Sequence, residues 1–312
     1  MRIVFIGTGE IGLPVLRALL ESPQHELVGV VTQPDKPAGR EQRIEAPPIK
    51  SEMGATAIPV LQPERIRNQD AVAQIRALAP EAIVVMAYGQ ILPRSVLDLP
   101  KIACLNLHAS LLPRYRGAAP IQAAIVGGDQ ATGITVIYMD EGLDTGDILL
   151  QKPLRILPNE TGGSLHDRLA QLAPETLLDA LAQLSAGNAS RIPQNSAHVT
   201  YAPKLTREDG RIDWRESAEL IERKIRAYDP WPGSFSEIEN PGGKPRHLKI
   251  LQASVNEKQF GTPGAICTPN ESEFLVATGR GSLRLEEVQL EGKRRMRAAD
   301  FLRGFSSPRI HF

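Results

Sequence analysis

The chain has 312 residues, of which 42% are hydrophobic and 23% charged, and its 36 basic and 36 acidic side chains cancel. That composition excludes a disordered or collagen-like chain and suits two compact domains, each with its own core. Zero net charge excludes a general polyanion-attracting field, so any nucleic-acid contact must come from local basic patches. The two cysteines, Cys104 and Cys267, lie far apart and outside any metal-ligand spacing. Neither a disulfide framework nor a metal site is expected. No run approaches the roughly 20 apolar residues of a membrane crossing. The apolar run Ile3–Ile6 has no basic region or cleavage site before it. The expectation is a cytoplasmic protein with no membrane partner.

From residue 2 to about 186, short β-branched runs alternate with amphipathic segments. RIVFI, ELVGVV, AIPVL, AIVVM, ACLNLH and GITVIYM read as strands, several apolar throughout, as strands covered on both faces should be. Helices are predicted over Ile11–Glu21, Gln69–Ala79 and Ile121–Val126. The predicted fold class is therefore α/β, with a Rossmann-like, mostly parallel sheet. A long helical segment, Ser164–Ala186, meets Pro174, where a kink or a break is expected. Residues 187–210 are polar, carry two prolines and follow neither period, as a linker should. Beyond them come a helical pattern, Ser217–Ala227, and the strand-like runs GSFSEI, RHLKILQASV, AICT, EFLVAT and SLRLEEVQL. These predict a smaller β-barrel (OB-like) domain. The expected boundaries are 1–189, a linker at 190–208, and 209–312.

Gly7-x-Gly9-x-x-Gly12 directly follows the first strand, the spacing of a dinucleotide-binding turn. Such a site also needs an acidic side chain at the end of the second strand to accept from a ribose hydroxyl. Here that strand ends Val30-Val31-Thr32-Gln33-Pro34, and Asp35 already lies in a polar loop. Three glycines alone also suit any tight strand-to-helix turn. An oxidoreductase reading therefore rests on the glycines only.

The stretches that carry chemistry lie at residues 105–122 and 139–147. Asn106 and His108 are two apart on a strand, so they share a face at its carboxyl end, where ligands bind in open α/β sheets. Asn-x-His alone is a weak sign, since a histidine at a strand end is more often a hydrogen-bonded structural residue. Asp140, Glu141, Asp144 and Asp147 fall within eight positions after another strand, with Gly142 and Gly146 between them. Their spacing is not that of a calcium loop. A carboxylate from this loop reaching His108 would complete a site for acyl transfer: an amide for the oxyanion, an imidazole for protons, a carboxylate to orient it. No serine elbow or loop cysteine is present, so the nucleophile comes with the substrate.

NLHASLLPRYRGAAPIQ and MDEGLDTGDIL together closely resemble the formyl-tetrahydrofolate transferase superfamily and, within it, the methionyl-tRNA formyltransferases. The likeness extends to TQPDKPAGR, AYGQILP, GRIDW and IRAYDPWPGSF, and so covers nearly the whole chain. Two departures stand out. Members usually read Gly-Thr-Pro at the first turn, where this chain has Gly7-Thr8-Gly9. Their tRNA loop usually reads Gly-Arg-Gly with a lysine following, where Glu41 and Gln42 follow Arg40 here.

The resemblance implies transfer of the formyl group of 10-formyltetrahydrofolate, a co-substrate, to the α-amine of methionyl initiator tRNA, without a metal. It implies Asn106, His108 and Asp144 as catalytic residues. Ser110, Leu111, Leu112 and Pro113 would line the folate site, with Tyr88, Gly89, Gln90, Ile91, Leu92 and the loop from Asp140 as pterin-pocket walls. The loop Gln33–Pro47, with Lys36, Arg40 and Arg43, would reach the tRNA acceptor end. A basic segment of the second domain, including Lys293, Arg294 and Arg295, would track phosphates. The implied oligomeric state is a monomer. The rivals are a sugar-nucleotide formyltransferase, a glycinamide-ribonucleotide formyltransferase or a formyltetrahydrofolate hydrolase on the same catalytic domain, the oxidoreductase, and a non-catalytic RNA-binding module.

Overall fold

The computed structural model describes residues 1–38, 42–54, 56–239, 243–268, 273–305 and 308–311. The chain divides into two compact units. The first comprises Met1–Pro120, Ala131–Arg155 and His166–Ala202; the second comprises Ile121–Gln130, Ile156–Leu165 and Pro203–Phe312.

The first unit is built on a seven-stranded sheet ordered Ile148–Arg155, Ala131–Tyr138, Ala103–His108, Ala82–Met86, Arg2–Gly7, Glu26–Val31, Val60–Leu61. The last five run parallel, and Ala131–Tyr138 and Ile148–Arg155 are antiparallel additions. The central strands are the apolar ones: Ile3, Val4, Phe5, Ile6, Ile83 and Val84 are wholly shielded, as expected where both faces are covered. All six predicted strands form. The seventh, Ile148–Arg155, escaped prediction because ILLQKPLR lies at the sheet edge, where half-exposed positions blur any period.

The helices Leu13–Leu20, Gln69–Ala77 and Pro120–Val126 form where the pattern places them. The long helix departs from expectation. It runs unbroken from Gly162 to Ala186 through Pro174. A mid-helix proline costs roughly 3 kcal/mol. Burial of Leu165, Leu169, Ala173, Leu177, Ala180 and Leu181 along one side offsets that.

The second unit is an antiparallel sheet, nearly closed like a barrel, ordered Ile266–Cys267, Phe274–Ala277, Ser282–Leu290, Arg246–Asn256, Ser234–Glu239, Arg309–His311, with Met296–Arg297 also pairing with Ser282–Leu290. Its core gathers Trp214, Ile221, Ile225, Ile250, Phe274, Leu285 and Phe301. The Trp214 indole N–H donates to Ser236 Oγ at 3.0 Å, so the largest buried side chain leaves no polar atom unpaired. The helix Ala218–Ala227 is capped by Ser217, which accepts from the Leu220 amide. Among the described residues no helix is long and apolar enough to cross a membrane.

Candidate active site

Asn106 and His108 occupy the carboxyl end of Ala103–His108, an inner strand whose Asn106 lies between Val85 and Ile137. The pleat gives both side chains one face. His108 is 6% exposed and Asn106 half-buried. Cys104 shares that face but is no nucleophile, because burial pushes its thiol up to about 12.

The acidic loop reaches this face by an indirect route. Ala131–Tyr138 is antiparallel to its neighbour, so the loop leaves the sheet beside Cys104, whose carbonyl accepts from the Met139 amide at 2.8 Å. It must then fold back toward His108. Gly146 permits the return, since a Cβ there would overlap the Tyr138 carbonyl oxygen. Asp144 takes the left-handed conformation, φ 52°, which aspartate tolerates better than most residues. Asp140 braces the loop, accepting from the Gly142 amide at 3.0 Å and from Thr145 Oγ1 at 2.6 Å.

The three predicted catalytic side chains meet. Asn106 Nδ2 donates to Asp144 Oδ1 at 3.2 Å, and His108 Nδ1 stands 3.5 Å from Asp144 Oδ2. The Gly117 amide donates to the same Oδ2 at 2.9 Å. The second imidazole nitrogen is also engaged: His108 Nε2 lies 2.8 Å from the Tyr115 carbonyl oxygen. That partner only accepts, so Nε2 carries a hydrogen and Nδ1 is the nitrogen free to gain or lose one. Tyr115 presents its carbonyl from φ 61°, a conformation rare for a bulky residue and often found at working sites.

A further layer escaped sequence reading. Gln194, within the predicted linker, donates from Nε2 to the carbonyls of Asp144 and Gly146, both at 2.8 Å. Its Oε1 accepts from Arg116 at 3.1 and 2.7 Å. Arg116 is buried, and its charge polarises the amide toward stronger donation. Tyr201–Ala202 pairs in parallel with Arg116–Gly117, and Thr200 Oγ1 accepts from the Tyr115 amide at 2.8 Å. Much of the expected linker is therefore wall of the site. Polar, aperiodic sequence gives no sign of this, because the partners are 48 to 85 residues distant.

Ser110 is fully buried, and its hydroxyl donates to the Arg114 carbonyl at 2.6 Å. The Leu112 amide donates to Thr135 Oγ1, which donates to the Ser110 carbonyl. Gln151 Nε2 donates to the Leu112 carbonyl and to Thr135. This turn thus spends its polar groups on its own shape. Leu112 is buried with Ile137 and Ile148, leaving Leu111 and Pro113 half-buried at the surface of the turn. Across the strand, Tyr88 and Leu92 have side chains in the core rather than on a pocket wall, and burial pushes the Tyr88 phenol up to about 12. Gln90 is committed to Ile66 and Glu64. Gly89, at φ 83°, turns the chain, and Ile91 is left 81% exposed. In the acidic loop Leu143 is 54% exposed. The roots of the two segments touch, since Met139 packs on the cluster holding Tyr88 and Leu92.

The glycine turn does not offer a dinucleotide site. The Thr8 and Gly9 amides both donate to the Ala87 carbonyl, and the Gly12 amide to that of Gly9. The Thr8, Gly9 and Gly12 amides are thus spent on the chain itself and are not turned toward a pyrophosphate. Asp35 is held by Lys50 and Gln62 instead of standing ready for a ribose.

Lys36 and Arg43 are exposed on the paired strands Lys36–Ala38 and Arg43–Glu45, while Arg40 lies outside the described residues. In the second unit, Lys293 and Arg294 are exposed with no carboxylate partner among the described residues, whereas Arg295 is ion-paired with Glu287. Arg280, Arg284, Arg297 and Arg303 are likewise paired. The basic segment is therefore far less cationic than its sequence suggests.

Residues 1–181 match the family described as formyl transferase, and residues 204–306 its C-terminal domain. The chain is 47% identical over 314 residues to the methionyl-tRNA formyltransferase of Akkermansia muciniphila, covering 100% of this chain and 99% of that one. Its fold is similar to an N-formyltransferase from Helicobacter canadensis solved with folinic acid and dTDP-3-aminofucose (TM-score 0.63, 17% identity, 91% and 98% covered). It also resembles HypX from Aquifex aeolicus in complex with tetrahydrofolic acid (TM-score 0.62, 19% identity), covering 98% of this chain and 47% of HypX.

Proposed function

The chain belongs to the methionyl-tRNA formyltransferase family, and from that premise we propose that Asn106, His108 and Asp144 carry formyl transfer from 10-formyltetrahydrofolate to the α-amine of methionyl initiator tRNA, in the cytoplasm, by a monomer. The observation that carries this reading is the convergence of amide, imidazole and carboxylate, with contacts of 3.2 and 3.5 Å, on one face of an inner strand.

The folate supplies an activated formyl group and the tRNA supplies the nucleophile; the chain supplies donors, a proton carrier and a scaffold. Asn106 uses one amide hydrogen on Asp144 and has the other for the formyl oxygen as it takes on charge. His108 Nδ1 takes the proton lost by the attacking amine and returns one to the departing nitrogen. Asp144 stabilises the imidazolium between those events, and the 3.5 Å gap leaves room for the contact to tighten when substrates close the site. Leu111, Pro113, Ile91 and Leu143 would bound the pterin slot, with Ser110, Leu112, Tyr88, Gly89, Gln90, Leu92 and Asp140 shaping it from behind.

In this reading the part that holds catalysis and the folate runs past the expected boundary at 189 to Ala202, 203–208 connect, and 209–312 hold tRNA. Lys36, Arg40 and Arg43 would meet the acceptor end, and Lys293, Arg294 and Arg295 the phosphates. His108→Ala is expected to lower kcat by roughly a hundred- to ten-thousand-fold with little change in tRNA affinity; unaltered turnover would remove His108 from the reaction. An assay offering methionyl initiator tRNA, a sugar-nucleotide amine and water to 10-formyltetrahydrofolate tests the acceptor. Formylation of the sugar instead of the tRNA would favour the rival enzyme.

A further inference from the structure

The second unit carries a cavity of about 320 Å³ on the outer side of its sheet, beside the turn that holds Trp231. His247 and Lys249 are two apart on one strand and so share that outer side; Lys249 lies opposite Phe235 and His247 opposite Glu237. The Phe235 ring stacks on His247 at 5.0 Å between centroids, with the Arg211 guanidinium 5.2 Å from the Phe235 ring. Trp231 stands 55% exposed between Pro230 and Pro232. Proline restricts the backbone on both sides. The ring is thus presented with little freedom to lose on binding.

The charges are as selective as the rings. Arg207 and Lys249 line the cavity without a carboxylate partner among the described residues. Of the carboxylates nearby, Glu208 and Glu237 are engaged by Arg211, at 3.2 and 3.4 Å, Glu237 also lies 4.0 Å from His247, and Asp209 accepts from Thr206. The surface therefore offers an exposed indole, a stacked aromatic floor and two uncompensated cations. An acidic protein segment would use the cations and leave the indole idle. An unpaired nucleotide uses both, its base on a ring and its phosphates on the charges.

We propose that this cavity seats an unstacked base of the tRNA, the base lying against Trp231 and the flanking phosphates against Arg207 and Lys249. The proposal rests on the formyltransferase reading and adds to it a site beside the segment around Lys293, whose Glu291 amide donates to the His247 carbonyl.

The chain has two tryptophans, and Trp214 is wholly buried, so only Trp231 can be quenched by a base stacked on it, over a constant Trp214 background. Titrating the full chain with methionyl-tRNA should quench indole emission, and Trp231→Leu should abolish the quench and raise the KM for methionyl-tRNA about tenfold or more while the KM for the folate holds. Trp231→Phe, which keeps a ring, should recover most of that affinity. Arg207→Ala combined with Lys249→Ala should lower the slope of log KM against log salt by about two. A Trp231→Leu enzyme with the original KM, or quenching by polyglutamate but not by tRNA, overturns the proposal. Formylation of methionyl-tRNA by the unaltered chain is followed in the same series. Failure of the activity itself would appear there, whereas failure of this site appears only in the variants.

Discussion

Gly9 has φ −76° and ψ 156°, a conformation that proline shares, and a Cβ there would meet only the Ala87 methyl group at 3.4 Å. Gly7 is different, since its Cβ would come within 2.7 Å of the Phe5 ring and 2.8 Å of the Met86 carbonyl. Gly9→Pro fits that backbone but gives up the Gly9 amide's hydrogen bond to the Ala87 carbonyl, so it should keep activity with a melting temperature unchanged or slightly lowered. Gly7→Ala should lose about 1–3 kcal/mol, several degrees in a thermal melt. Comparable melts for the two variants would refute this. Gln194→Ala removes both hydrogen bonds to the loop carbonyls beside Asp144. It should lower kcat roughly ten- to a hundredfold through misplacement of the carboxylate, with the KM for tRNA little changed. At this scale the sequence was legible where chemistry is local: Asn106 and His108 are strand neighbours and Asp144 sits in a short acidic loop. It was silent on Tyr115, Thr135 and Gln194, whose parts are played by a backbone carbonyl or by contacts made only after folding.

Among elements, apolar runs announced the buried strands and the helical pattern over Ser217–Ala227 announced a helix, because burial and periodicity act within a few residues. The edge strand Ile148–Arg155 and the unbroken helix through Pro174 were decided by neighbours the local pattern cannot show. Since Pro174 is retained against its helical preference, Pro174→Ala should stabilise the fold by about 1–3 kcal/mol, read by denaturant unfolding; a loss of stability would mean that the ring packs better than its half-buried position indicates. The paired strands after Gln33 depend on another local anchor. The Asp35 carboxyl is held below its ordinary range by the Gln62 amide and then by Lys50. A depressed carboxyl stabilises the fold above its unfolded pKa and loses that contribution as pH falls through the folded value, here below about 4. Amide protection at Lys36 and Ala38, taken relative to the intrinsic exchange rate at each pH, should fall between about pH 5 and pH 3, and Asp35→Asn should remove that step. A flat profile in the unaltered chain would count against the anchor.

Across the whole molecule, zero net charge leaves tRNA attraction to a few unpaired cations. Lys293→Ala with Arg294→Ala should reduce the salt slope of the tRNA KM by about two, whereas Arg295→Ala, already tied to Glu287, should change it less. Equal effects would mean that the ion pair opens on binding. One feature of the first unit reaches further. The Gln194 amide and the Arg116–Gly117 pairing with Tyr201–Ala202 grip the acidic loop from beyond the long helix. A growing polypeptide released only as far as residue 189 would contain Asn106, His108 and Asp144, the proposed catalytic side chains, and still be inert. Competence would arrive with the next dozen residues, so the shortest fragment able to show chemistry ends no earlier than Ala202.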